Sequence, residues 1–254
     1  MTLALHIAWY AIRDLTRNRW GLLYTAFFLV VTIGLFYMQA QSAKVAVSLM
    51  SVCLFLIPLV SSLFGTIYFY NSREFMELVL TQPVARPTVF FGMYCGLAAA
   101  LIGGFVVGVG VPAIVLGDRS FDQVASMLLL LVIGSFLTII FLAISFLLAI
   151  LFDDRGKGLA AALGVWLFTA LIYDGLVLLA AMAFSDYPLE TPMLVASVAN
   201  PIDLARVVLL VAATDGGASL TVGVTADMTG RFHAGEIVKG LAPLIEGRGG
   251  GEPE

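Results

Sequence analysis

Five stretches of this chain are too long and too apolar to be at home in water. Residues 21–40, 45–70, 88–116, 124–152 and 158–184 each run for twenty residues or more, and Asp174 in the fifth is the single charge among them. At about 1.5 Å per residue, a helix of about 20 residues crosses about 30 Å of hydrocarbon. Strands of a membrane barrel would be shorter and would alternate polar with apolar, which these runs do not. The sequence therefore predicts an all-α integral membrane protein with five transmembrane helices. Composition agrees: 61% of the residues are hydrophobic and 12% charged, where a soluble domain is about half apolar and about a quarter charged. Such a balance excludes a water-soluble enzyme. The formal net charge of −4 sits in short groups between the apolar runs, and no basic stripe points to a nucleic-acid partner.

Lysine and arginine fix the expected orientation. Arg13, Arg17 and Arg19 precede span one, Arg73 and Arg86 lie between spans two and three, and Arg155 and Lys157 lie between four and five. The other side has Lys44, Arg119 and the acidic Asp186 and Glu190. The positive-inside rule places the amino terminus in the cytoplasm. No A-x-A-like site follows the first span, so it reads as a retained anchor and not a cleaved signal peptide. Ahead of it, Leu5, Ala8, Trp9, Ile12 and Leu15 recur at helical spacing opposite His6, Arg13, Asp14 and Arg17. That pattern predicts an amphipathic helix lying in the membrane interface; the rival reading is an extension of span one.

After span five, residues 193–213 are apolar at both ends but are broken by Asn200-Pro201, Asp203 and Arg206. Each charge at a helix centre costs about 2.5–3.5 kcal/mol on insertion, and proline removes a backbone donor. The expectation is an outer segment over 185–212, not a sixth span, with 1–212 forming one transmembrane domain. Residues 213–254 are rich in Gly, Thr and Ala and end Gly249-Gly250-Gly251-Glu252-Pro253-Glu254, which predicts an irregular, disordered tail outside the membrane.

Chemistry-bearing motifs are sparse. Cys53 and Cys95 lie within apolar runs and form neither a disulfide framework nor a zinc site. His6 and His233 fall near the two ends, leaving no buried base for a membrane hydrolase. Gly156-Lys157-Gly158 lacks the remaining parts of a phosphate loop. Tyr173-Asp174 resembles half of an intramembrane aspartyl protease site, but no later Gly-x-Gly-Asp supplies the second carboxylate such chemistry needs. Two readings of Asp174 stand: an interhelical hydrogen bond to a hydroxyl such as Ser135, Thr138 or Ser145, or a transport or gating role.

The link between spans two and three is the most informative stretch. Ser72 can cap a short helix carrying Arg73, Glu74 in its first turn, and Glu77; Phe75, Leu78 and Val79 take another side, and Gln82-Pro83 ends it before Arg86. A short amphipathic helix between two spans suits docking of a soluble partner; the alternative is a connector resting on lipid headgroups.

An amino-terminal amphipathic helix running from Arg13-Asp14 to Arg17-Asn18-Arg19-Trp20, two spans, then Ser72-Arg73-Glu74 to Gln82-Pro83-Val84-Ala85-Arg86, together resemble the permeases of the ABC-2 class. More narrowly, Tyr173-Asp174 and Asn200-Pro201-Ile202-Asp203-Leu204-Ala205-Arg206 resemble the permeases of NosDFY transporters, which support nitrous oxide reductase maturation. The resemblance covers about residues 3–210. It implies that Arg73, Glu74, Phe75, Glu77, Leu78, Gln82, Pro83 and Arg86 belong to a coupling segment seated on a separate, NosF-like ATPase subunit. ATP and Mg would be held by that subunit, with no cofactor or metal on this chain. It further implies a second permease copy, a periplasmic NosD-like protein on the outer face, and residence in the cytoplasmic (inner) membrane. The cargo would be a sulfur or copper-related species, or the permease would mainly transmit force; no Cys, His or Met cluster marks a copper path. Rival functions are a general ABC-2 exporter of lipid or polysaccharide, an ATP-independent transporter, and a membrane scaffold. The family usually continues through a Gly-Tyr-Thr-Gly-like segment to a sixth span, and residues 213–254 have neither. Natural variation and a reading frame lost near Val211 both fit that departure.

Overall fold

The computed structural model describes residues 19–38, 42–81, 85–117, 121–183 and 190–213. The expected interfacial helix ahead of Arg19, Gln82 and Pro83, and the tail beyond Ala213 lie outside these residues. Every regular element among them is helical: α1 (Arg19–Met38), α2 (Ser42–Asn71), α3 (Arg73–Leu80), α4 (Arg86–Leu116), α5 (Phe121–Leu151), α6 (Arg155–Leu167), a π-helical turn (Phe168–Ile172), α7 (Tyr173–Ala183), α8 (Glu190–Ala199) and α9 (Pro201–Ala213).

Five helical stretches are long and apolar enough to cross a membrane: Gly21–Met38, Ser48–Asn71, Arg86–Leu116, Val124–Leu151 and Arg155–Ala180. These are the five predicted spans. The fifth starts at Arg155, earlier than expected, because Asp154 caps it: its carboxylate accepts from the Lys157 amide at 2.9 Å. The chain from α6 through the π turn to α7 is one continuous span. Helices α8 and α9 are separated at Asn200-Pro201, where proline opens α9 without losing an intrahelical bond.

Two pairings build the bundle, α2 with α5 and α1 with α4. Between apolar helices in lipid there is little hydrophobic drive, so association depends on close packing. Gly65 lets α2 approach α5 so closely that a Cβ there would lie 2.7 Å from the Ser145 Cβ and 2.8 Å from Leu142. Gly108 does the same for α4 against α1, where a Cβ would lie 2.7 Å from the Phe28 Cβ. Around these approaches Phe28, Ile57, Phe105, Phe141 and Leu142 are fully buried. Leu22, Val30, Ile114, Leu147 and Leu178 point outward, as side chains facing lipid do.

Three buried hydroxyls bond back to their own helices, while those of Tyr24, Thr32 and Ser61 are buried without a partner among the described residues. Thr66 donates to the Ser62 carbonyl at 2.8 Å, Thr138 to Gly134 at 2.9 Å and Ser145 to Phe141 at 2.7 Å. The chain divides into two units, Met1–Leu209 and Leu210–Glu254. The bundle is the first; of the second, only Leu210–Ala213 at the end of α9 are described.

Candidate functional site: two polar constellations

At the end of the bundle that carries Arg73, Arg86, Arg155 and Lys157, α2 ends at Asn71 and the chain turns through Ser72 into α3. Ser72 occupies the capping position as expected, yet its side chain makes no capping bond. Helix α3 is amphipathic, and its inner side is Met76, which the sequence pattern does not single out, together with Val79, which it does, and Leu80. Phe75 is 39% and Leu78 69% exposed. Glu74 and Glu77 are exposed as well, so the exposed side of α3 mixes apolar and acidic groups. Arg86 opens α4, with Pro87 in its first turn.

The turn between α5 and α6 packs against the start of α3. Arg73 donates from Nη1 to the Asp153 carbonyl at 3.1 Å and from Nη2 to its carboxylate at 3.2 Å. The same guanidinium lies 5.4 Å over the Tyr70 ring. Arg155 donates to the Asn71 side chain at 3.2 Å. Tyr70, Asn71, Asp153 and Arg155 were not foreseen as a group. The sequence signal was present in Asp153-Asp154-Arg155, the only charges between spans four and five besides Lys157.

The second constellation gathers residues from span five, α8 and α9. Within the π turn, the Thr169 carbonyl accepts from the Asn200 side-chain amide at 2.8 Å; single π turns within α-helices are frequent at functional sites. Immediately after it, the Tyr173 hydroxyl donates to the Ala196 carbonyl at 2.7 Å. Arg206 donates to Asp174 at 2.9 Å and lies 3.2 Å from Asp203. Asn200 also donates to Asp203 at 2.9 Å, while its own oxygen accepts from the Ile202 amide at 3.2 Å and so caps α9. Tyr173, Asp174, Asn200, Pro201, Asp203 and Arg206, expected as separate features, thus form one network. Counting along the helix, Asp174 lies roughly 28 Å from Arg155.

One expectation is corrected here. Asp174 pairs with Arg206 and not with Ser135, Thr138 or Ser145. Those hydroxyls are engaged by their own helix, Ser135 donating to Leu131 at 2.7 Å. A carboxylate in an apolar span gains more from a guanidinium than from a shared hydroxyl. The opposite charges in neighbouring segments were the signal for this pairing.

Electrostatically, the network sets two carboxylates against one guanidinium. Burial chiefly, and then the hydrogen bond and charge of Asp174, push the Asp203 carboxyl above the usual range; Asn200 and Arg206 oppose the shift. Asp203 therefore holds its proton to a higher pH than an ordinary carboxyl does. No group of three or more His, Cys, Asp or Glu able to hold a metal occurs among the described residues.

A helical membrane bundle with an amphipathic helix between its second and third spans defines a class, and residues 5–226 match the family described as "ABC-2 family transporter protein". The chain belongs to the ABC-2 transporter family: it is a multi-pass membrane permease, the kind of subunit that works with an ATP-binding ABC partner. It is similar to the "probable ABC transporter permease protein NosY" of Stutzerimonas stutzeri, 26% identical over 236 residues that cover 85% of this chain and 84% of that protein. The protein of the same name from Pseudomonas aeruginosa is 28% identical over 215 residues, covering 78% of each. A shorter stretch of 48 residues is 54% identical to the alanine–tRNA ligase of Desulfosudis oleivorans, covering 19% of this chain and 6% of that enzyme.

Proposed function

We propose that this permease serves a transporter supporting nitrous oxide reductase maturation, with α3 and the segment up to Arg86 as the seat of a separate NosF-like ATPase subunit. The observation that carries the docking is α3 itself: a short helix at the arginine-bearing end that turns Phe75, Leu78, Glu74 and Glu77 outward. Exposed aromatic and aliphatic groups ringed by charge are what a soluble partner's groove takes. The similarity to NosY proteins along most of the chain supports the narrower role. Two permease copies and two ATPase subunits make the working unit, in the cytoplasmic membrane with the amino terminus inside. ATP and Mg reside on the ATPase; their closure moves α3, and the spans shift between two packings. The far network, Asp174 with Arg206, then faces the outer side, where a NosD-like protein would sit. The cargo is a sulfur or copper-related species, or force passed to that outer protein.

The carboxyl end is proposed as a separate tail. Any 48-residue window beginning within residues 1–137 takes in most of an apolar span, which a water-soluble ligase does not carry. The short ligase-like stretch therefore belongs towards the polar end of the chain, and at 6% of that enzyme's length it transfers no activity.

Complementation tests the function. A bacterium deleted for its own NosY-type permease should regain nitrous oxide reduction when given this chain with its cognate ATPase; normal export of lipid or polysaccharide without that recovery would favour the general exporter. A reporter that fluoresces only in the cytoplasm should light up after Gly156 and stay dark after Glu254. The reverse pattern would overturn the orientation.

A further inference from the structure

Tyr70 stands in the last turn of α2, and its hydroxyl donates across to the turn between α5 and α6. It reaches the Phe152 carbonyl at 2.6 Å and the Asp154 carbonyl at 3.3 Å. Phe152 and Asp154 flank Asp153, the residue that Arg73 holds from the other side of Ser72. The ring has room only because residue 158 is glycine: a Cβ there would overlap the tyrosine hydroxyl and lie 2.9 Å from two ring carbons. Gly158 itself is buried. With Arg155 bonded to Asn71, the joint between α2 and α3 is tied to residues 152–158 through the side chains of Tyr70, Asn71, Arg73, Asp153 and Arg155.

These ties differ in strength. Asp153 is fully exposed, and exposed ion pairs contribute little. The Tyr70 bond to Phe152 is different, because it is part-buried and caps a carbonyl just past the end of α5, and the ring is wedged over a glycine that no other residue can replace without moving it. Apart from this joint, α3 is anchored within the bundle by Met76, with Val79 and Leu80 packed against the core. Without the joint, those apolar contacts alone would have to resist rotation about Ser72 when α3 is pushed.

We propose that Tyr70, seated on Gly158, is a positioning residue that locks α3 to the turn between spans four and five. A push on α3 then reaches spans two, four and five together instead of being lost in a hinge. This inference rests on the reading that α3 receives the ATPase.

The test uses the assembled permease–ATPase complex in nanodiscs, carrying Cys95→Ser with spin labels at Thr81→Cys and Lys157→Cys, measured by double electron–electron resonance. The distance between the two labels of one permease copy should be narrow and unchanged between nucleotide-free and ATP-bound states, with the longer distances between copies set apart by samples carrying one label per copy. Tyr70→Phe, which keeps the ring and loses the hydroxyl, should broaden that distance. It should also lower ATP turnover several-fold, with the KM for ATP and co-purification of the ATPase unchanged. Gly158→Ala should do the same, and adding Tyr70→Phe to it should change little further, since both act on one contact. A shift of several ångströms between the two states in the unsubstituted joint would overturn the lock. So would Tyr70→Phe leaving both distance and turnover as they were. Failure of the ATPase to co-purify with the unsubstituted chain would instead overturn the docking reading, and the label distance in the chain alone would still decide the lock.

Discussion

Span two and span five are near twins in length and hydropathy and opposites in packing. They run for 24 and 26 residues at mean hydropathies of 2.1 and 1.9, yet half of span two's most apolar window is buried in the bundle against 6% of span five's. Span two is held along its length by close approach to α5 through Gly65. Span five is held at points: Gly158 under Tyr70, the Trp166 indole donating to the Phe55 carbonyl at 3.2 Å, Thr169 accepting from Asn200, and Asp174 paired with Arg206. Apolarity brings both helices into the bilayer, but it does not say where in the bundle each will stand. For the packed span shape decides this; for the exposed span a few polar bonds do.

The contrast can be broken most severely at Gly65. Gly65→Leu should overfill the α2–α5 approach and cost about 1–3 kcal/mol or more, read as loss of the monodisperse peak and of thermal stability in detergent. Leu178→Ala on the exposed side of span five should leave both unchanged. Equal losses at the two positions would remove the distinction.

A smaller effect is expected at the polar ties. Asp174→Ala or Arg206→Ala should each destabilise by about 1 kcal/mol, the moderate size reflecting side chains that stay more than a third exposed. The double substitution should cost less than the sum. Strict additivity in that cycle would mean the pair does not hold span five.

The smallest effect is a pH dependence. A carboxyl raised above its unfolded value lends stability that is fully present below the ordinary carboxylate range and is lost as pH rises through the raised value. Melting temperature should therefore fall slightly as pH rises through and above the usual carboxylate range, and Asp203→Asn should flatten that slope. An unchanged slope in the variant would assign the dependence elsewhere.

The spans were legible because twenty apolar residues have one physical meaning in a membrane, and all five were found within a few residues of their expected limits. Helix α3 was legible from Ser72 to Leu80 by its period, although Met76 and Val79, not Phe75 or Leu78, proved to face inward. Partners were harder to read. Asp174 had several hydroxyls within plausible reach, and only the fold shows that Ser135, Thr138 and Ser145 bond back to their own helix. Tyr70 and Gly158 are 88 residues apart in sequence, and nothing local marks a glycine as the floor beneath a ring.

The central claim is that this permease is driven through α3 by a separate ATPase. Co-purification of the ATP-binding subunit with the unsubstituted chain and with Glu77→Lys, followed by ATP turnover of each preparation, tests it most directly. The account predicts no hydrolysis by the chain alone, hydrolysis by the complex, and loss of the partner on Glu77→Lys while membrane insertion is kept, because a reversed charge at a complementary interface repels. Hydrolysis by the purified chain alone, or full retention of the partner by Glu77→Lys, would contradict it.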